Sequence, residues 1–107
     1  MQDWRKISHT DLLTIQMAHN VAVMGNYGSD IQAAIATQIK AEMAAKDWKQ
    51  ADLSKATGIV GSTLSRYLAG GRDIPLPVFA EIAQALGLSM IELAQRAERR
   101  LKAKDVL

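Results

Sequence analysis

The 107-residue chain contains no cysteine, only two prolines and only five aromatic side chains. Without cysteine there is no disulfide, no thiolate metal ligand and no cysteine nucleophile. Such a chain suits a reducing compartment, and we read it as cytoplasmic. With so few aromatics, Leu, Ile, Val, Met and Ala must fill the core. No apolar run approaches the ~20 residues that cross a bilayer. The N-terminal "MQDWRKISH" lacks the apolar stretch of a signal peptide, so no membrane partner is expected. Alternation of strand type and internal repeats are also missing.

Catalytic patterns are absent as well. The two histidines, His9 and His19, stand ten residues apart, without HExxH spacing. The serines form no Gly-x-Ser-x-Gly elbow, and there is no GKS or GKT phosphate loop. The expectation is no enzyme, no metal and no cofactor.

What is present is a single-domain composition: 49% of residues are hydrophobic, enough for a modest core. The net charge is only +2, and it is unevenly placed. Residues 29–93 hold six basic and seven acidic side chains, whereas the tail 94–107 holds five basic and two acidic ones. The basic pI of 9.1 is therefore largely a property of the tail. Global charge gives little indication of a nucleic-acid partner.

Helix signals run through the whole chain. "TDLLTIQMAHNVAVM" predicts an N-terminal helix over Thr10–Met24, followed by a turn at Gly25–Ser29. Ser29 and Gln32 have capping-box spacing, and Ile31, Ile35, Ile39 and Met43 form one apolar stripe, predicting a helix over Asp30–Lys46. Pro75 suits the first turn of another helix, with Phe79, Ile82, Ala83 and Leu86 inward and Gly87 as its stop. Ser89 and Glu92 form a second capping box, opening a helix that runs to about Leu101. Trp4, Met17, Val21, Val23 and Met24 are expected to dock the N-terminal helix on the core, with a partner surface as the second reading, and Trp48 is expected as a core or boundary residue.

Between these elements lie two helices too short to be stable alone, Gln50–Thr57 and roughly Gly61–Ala69. Gly58 ends the first through a left-handed conformation. Ser54 is small enough for the second helix to cross close by. Leu53, Ile59, Leu64 and Tyr67 are spaced to meet in the angle between them. Two short crossing helices of this kind form a helix-turn-helix, whose second helix enters the DNA major groove. A short second helix suffices, because only its first turns need enter a groove ~12 Å wide.

Gln50, Leu53, Gly58, Ile59, Leu64 and Gly70, with the later "FAEIAQALGLSMIEL", resemble the signature of the Cro/phage-repressor (XRE-type) family. The resemblance covers about Ser29–Leu93. It implies an all-α, five-helix, lambda-repressor-like fold, here with an extra N-terminal helix. It also implies binding to double-stranded DNA, usually by homodimers on two-fold operators. The expected organisation is an N-terminal extension (1–28), a helix-turn-helix domain (29–95) and a basic helix end or tail (96–107). Four positions depart from the family pattern. Ser54 replaces an alanine, Thr57 stands where an apolar residue is common, and Val60 stands where a polar cap often precedes the second helix. Gly61 removes a side chain from the readout surface, although its backbone is then free to approach a phosphate.

On the second helix Leu64, Tyr67 and Leu68 face inward, leaving Ser62, Thr63, Ser65 and Arg66 outward. Arg66 is the foremost candidate for base readout, because Arg pairs bidentately with guanine. Ser62 and Ser65 suit base edges or phosphate. Thr63 suits a phosphate, or its methyl a thymine methyl, and Val60 suits the latter too. The resemblance gives Gln50 a phosphate contact and a bracing role. Lys49, Lys55 and Arg72 flank the unit as phosphate-neutralising cations. The tail "QRAERRLKAK" reads first as a solvated helix end, its cations favoured by the helix dipole, and second as a DNA or dimer contact. The expected function is a sequence-specific transcriptional regulator, a repressor of phage or bacterial type. The alternative is an antitoxin or adaptor that uses the same fold to bind a protein partner.

Overall fold

The computed structural model describes the backbone from His9 to Val106 and the side chains from Tyr27 to Ala103. Within that range the chain forms five helices and no strand: α1 (His9–Ala45), α2 (Gln50–Thr57), α3 (Gly61–Leu68), α4 (Leu76–Ala85) and α5 (Met90–Val106). The core is built by all five. The largest fully buried side chains are Ile39, Leu53, Leu64, Ile82 and Leu93, one from each helix. Burying such a side chain contributes roughly 1.5–3 kcal/mol, so no helix is an ornament on the others. Trp48 packs half-buried against this cluster, at the boundary where it was expected.

The N-terminal region differs from expectation. α1 is one continuous helix, so the turn expected at Gly25–Ser29 is absent. The extra N-terminal helix is the first half of α1 rather than a separate element. A Cβ added at Gly28 would meet nothing within 4 Å, so this glycine answers no steric demand. Gly25 and Gly28 each cost the helix about 1 kcal/mol, too little to break it when helix continues on both sides. Ser29 therefore caps nothing, and Gln32 is used elsewhere. Its amide accepts the Ile74 N–H at 2.8 Å and donates to the Ile74 carbonyl at 3.3 Å. That pair of bonds ties the α3–α4 loop to α1. The side chains of Trp4, Met17, Val21, Val23 and Met24 lie outside the described residues.

The apolar stripe on α1 is buried at Ile39 and Met43 but only half-buried at Ile31 and Ile35. A four-residue repeat rotates about 40° per step around a helix with 3.6 residues per turn. Ala34 and Gln38 are buried on the side toward which the stripe turns as it runs back to Ile31. α5 packs there antiparallel to α1, with Arg96 against Glu42 and Arg100 against Gln38. It reaches Val106, five residues past the expected end at Leu101. At α4, Pro75 stands just before the helix in an extended conformation rather than in the first turn, and Pro77 occupies the second helical position.

Candidate nucleic-acid interface

α2 and α3 are held by a short turn whose hydrogen bonds come largely from side chains. Gly58 adopts φ +77°, a left-handed conformation that ends α2 after Thr57. The Ser54 hydroxyl donates to the Ile59 carbonyl. The Thr57 hydroxyl donates to the Leu53 carbonyl at 2.8 Å and accepts the Ile59 N–H at 3.2 Å. Two of the four positions that depart from the family pattern thus satisfy the backbone of the turn. The Gln50 amide spans it, donating to the Gly61 carbonyl at 3.0 Å. Beneath, Leu53, Leu64 and Tyr67 are buried and Ile59 packs against them, as their spacing predicted.

α3 is strongly two-sided. Leu64, Tyr67 and Leu68 are buried, while Ser62, Ser65 and Arg66 are exposed and Thr63 is half-buried. Arg66 forms no ion pair among the described residues. A cation on a rigid helix face without an acidic partner is free to meet an external acceptor. The helix begins without a side-chain cap, because Val60 occupies the N-cap and is 67% exposed. A Ser, Thr, Asp or Asn there would typically stabilise the helix by about 1 kcal/mol. A Cβ added at Gly61 would meet nothing within 4 Å, and its φ is not positive, so neither space nor conformation demands a glycine.

The remaining candidates surround this face. Gln50, Ser54, Lys55 and Gly61 line an open cleft of about 470 Å³. Asp52, which the sequence reading left aside, lines it too. Its carboxylate accepts the Lys49 N–H at 2.7 Å, which fixes the start of α2. The Lys49-x-x-Asp52 spacing is the signal that was available for that bond. Lys49 and Lys55 are exposed. The Arg72 guanidinium lies 5.6 Å from the centroid of the Tyr67 ring, a cation–π distance that keeps it beside the end of α3.

The basic tail is arranged otherwise. Arg96 donates to Glu42 at 2.7 Å, Arg100 donates to Gln38, and Gln38 donates to Glu42 at 2.7 Å. This chain of bonds holds α5 to the side of α1. The Glu42 carboxyl is held below the usual range, chiefly by the hydrogen bond from Arg96, with burial opposing and Gln38 assisting. The same bond raises the already high Arg96 value. Two of the tail arginines are thus engaged in tertiary structure.

No His, Cys, Asp or Glu cluster suited to a metal occurs among the described residues. No single described helix is long and apolar enough to cross a membrane.

Residues 39–93 match the helix-turn-helix family model HTH_3. Among solved structures, the clp gene regulator ClgR from C. glutamicum is similar in fold. Its TM-score is 0.61 at 20% identity, covering 65% of this chain and 91% of that one. No curated protein matches in sequence.

Proposed function

Because the chain belongs to the XRE-type helix-turn-helix family of DNA-binding transcription regulators, we propose that it is a sequence-specific repressor of phage or bacterial type. It acts as a homodimer on a two-fold operator, excluding polymerase by occupancy. The observation that carries this reading is the two-sided α3, with Arg66, Ser62 and Ser65 exposed above a buried Leu64–Tyr67–Leu68 anchor. In this reading Arg66 reads a guanine, and Ser62, Thr63 and Ser65 meet base edges or phosphates. Gln50, with Lys49, Lys55 and Arg72, seats the unit on the backbone. Selection of bound duplexes from random DNA tests it. The expected product is a palindrome with half-sites about one helical turn apart. Failure to retain any duplex at low salt, with Arg66→Ala behaving like the unaltered chain, would overturn the proposal.

One observation favours a second reading, in which the fold mainly engages a protein. The body at residues 29–93 carries one more acidic than basic side chain, so its general attraction to phosphate is weak. A stoichiometric protein complex that survives where DNA binding is lost would decide for that reading.

A further inference from the structure

A lone exposed valine on a protein surface is ordinary. The position of Val60 is not. It stands at the N-cap of α3, where a small polar residue would cap the helix, and it is 67% exposed without making any cap bond. The next residue, Gly61, carries no side chain, and the space where its Cβ would sit is empty. At the leading end of the helix that bears Arg66, Val60 and Gly61 therefore offer one isopropyl group beside bare backbone, ahead of the exposed Ser62. Neither of these two positions carries a polar side chain, and a side chain that would hold the helix end away from a base edge is missing. Thr63, the other carrier of a methyl near this end, is half-buried and less able to reach out.

The only apolar group that the major-groove edge of a base pair presents is the 5-methyl of thymine. We propose that Val60 is a specificity-determining residue that reads a thymine methyl, with Gly61 permitting the close approach. The inference rests on the DNA-binding reading above and adds a base class to it: a thymine contacted by Val60 in each half-site, besides the guanine contacted by Arg66. Six residues separate the two along the chain. At a rise of 1.5 Å per residue that is about 9 Å, or roughly two to three base-pair steps of 3.4 Å.

The test uses the full chain and a duplex taken from the selection experiment. Each thymine is replaced in turn by uracil, which removes the methyl and nothing else, and Kd is measured at fixed salt. At one thymine per half-site the replacement should weaken binding about fourfold, the factor for burying one methyl-sized group. Val60→Ala should abolish that sensitivity while leaving the response to Arg66→Ala intact. Because Val60 is exposed, the variant should fold, and an unchanged Tm verifies this. Binding indifferent to every thymine methyl, or a sensitivity that persists in Val60→Ala, overturns this inference and leaves the regulator reading standing. Failure of the unaltered chain to bind any duplex overturns both.

Discussion

The side-chain amide of Gln50, the first residue of α2, donates to the carbonyl of Gly61, the first residue of α3, at 3.0 Å. The orientation of the second helix is thereby fixed by a side chain rather than by the turn alone. Gln50→Ala should cost about 1 kcal/mol of stability, the usual net worth of one hydrogen bond. Its effect on DNA affinity should be larger than that of a comparably destabilising core change such as Ile39→Val. Thermal unfolding and Kd measured on both variants make the comparison. Equal losses of affinity would mean that the bond positions nothing.

The exposed basic residues should separate into two kinds. Arg66→Ala should leave Tm unchanged and reduce discrimination at one base position by roughly 5- to 150-fold, the range for a bidentate arginine–guanine pair. Arg66→Lys should not restore it, since lysine lacks the planar fork. Lys55→Ala should instead weaken every sequence alike and lower the slope of log K against log salt by about 0.9. A salt titration on specific and scrambled duplexes distinguishes the two patterns. If Arg66→Ala weakened both duplexes equally, it would be a phosphate contact.

In the turn, Ser54 and Thr57 differ in what their removal leaves behind. Ser54→Ala removes a single hydrogen bond, the one donated to the Ile59 carbonyl. Thr57→Val removes the acceptor of the Ile59 N–H and replaces the hydroxyl by a methyl beside the Leu53 carbonyl. A donor left unsatisfied costs about 1–3 kcal/mol, against about 0.5–1.5 for a hydrogen bond simply lost. Thr57→Val should therefore be the more destabilising change, read as the shift in urea midpoint at constant m-value. The reverse order would place the strain of the turn at Ser54.

The parts of this fold that can be read along the chain are those set by neighbours within a turn or two. Gly58, Leu53, Leu64 and the bounds of α2 follow from local spacing and stand where the sequence places them. So does the Ser89 cap, whose hydroxyl accepts the Glu92 N–H at 3.0 Å. What escapes is decided at long range. Ser29 and Gln32 have the spacing of a cap, yet Gln32 serves Ile74, 42 residues away, and the helix runs through. Arg96 and Arg100 look like a solvated basic tail, but Glu42 and Gln38, 54 and 62 residues earlier, engage them. Nothing local marks either pairing. On the candidate interface, the sequence indicates which side of α3 is open. It does not show that Thr57, read there as a departure, and Ser54, read there as a small residue at a close crossing, satisfy the turn.

The Arg96–Glu42 bond gives the fold a pH dependence whose sign is defined. Glu42 titrates below the ordinary glutamate range in the folded chain, first because Arg96 donates to it. A depressed carboxylate contributes stability that is fully present above its unfolded value, about 4.3, and is lost as pH falls through the lower folded value. Arg96 stays charged throughout and adds no acid dependence of its own. Glu42→Gln keeps the shape and the hydrogen-bonding length but abolishes the titration. The Tm of the unaltered chain should therefore exceed that of the variant at pH 7. The gap should hold down to about pH 5 and shrink toward zero below about pH 4, where protonated glutamic acid and glutamine are nearly equivalent. Taking the difference between the two proteins cancels the other carboxylates, which titrate alike in both. A gap of constant size from pH 7 to pH 3 would show that the substitution acts through packing, with the ion pair contributing nothing.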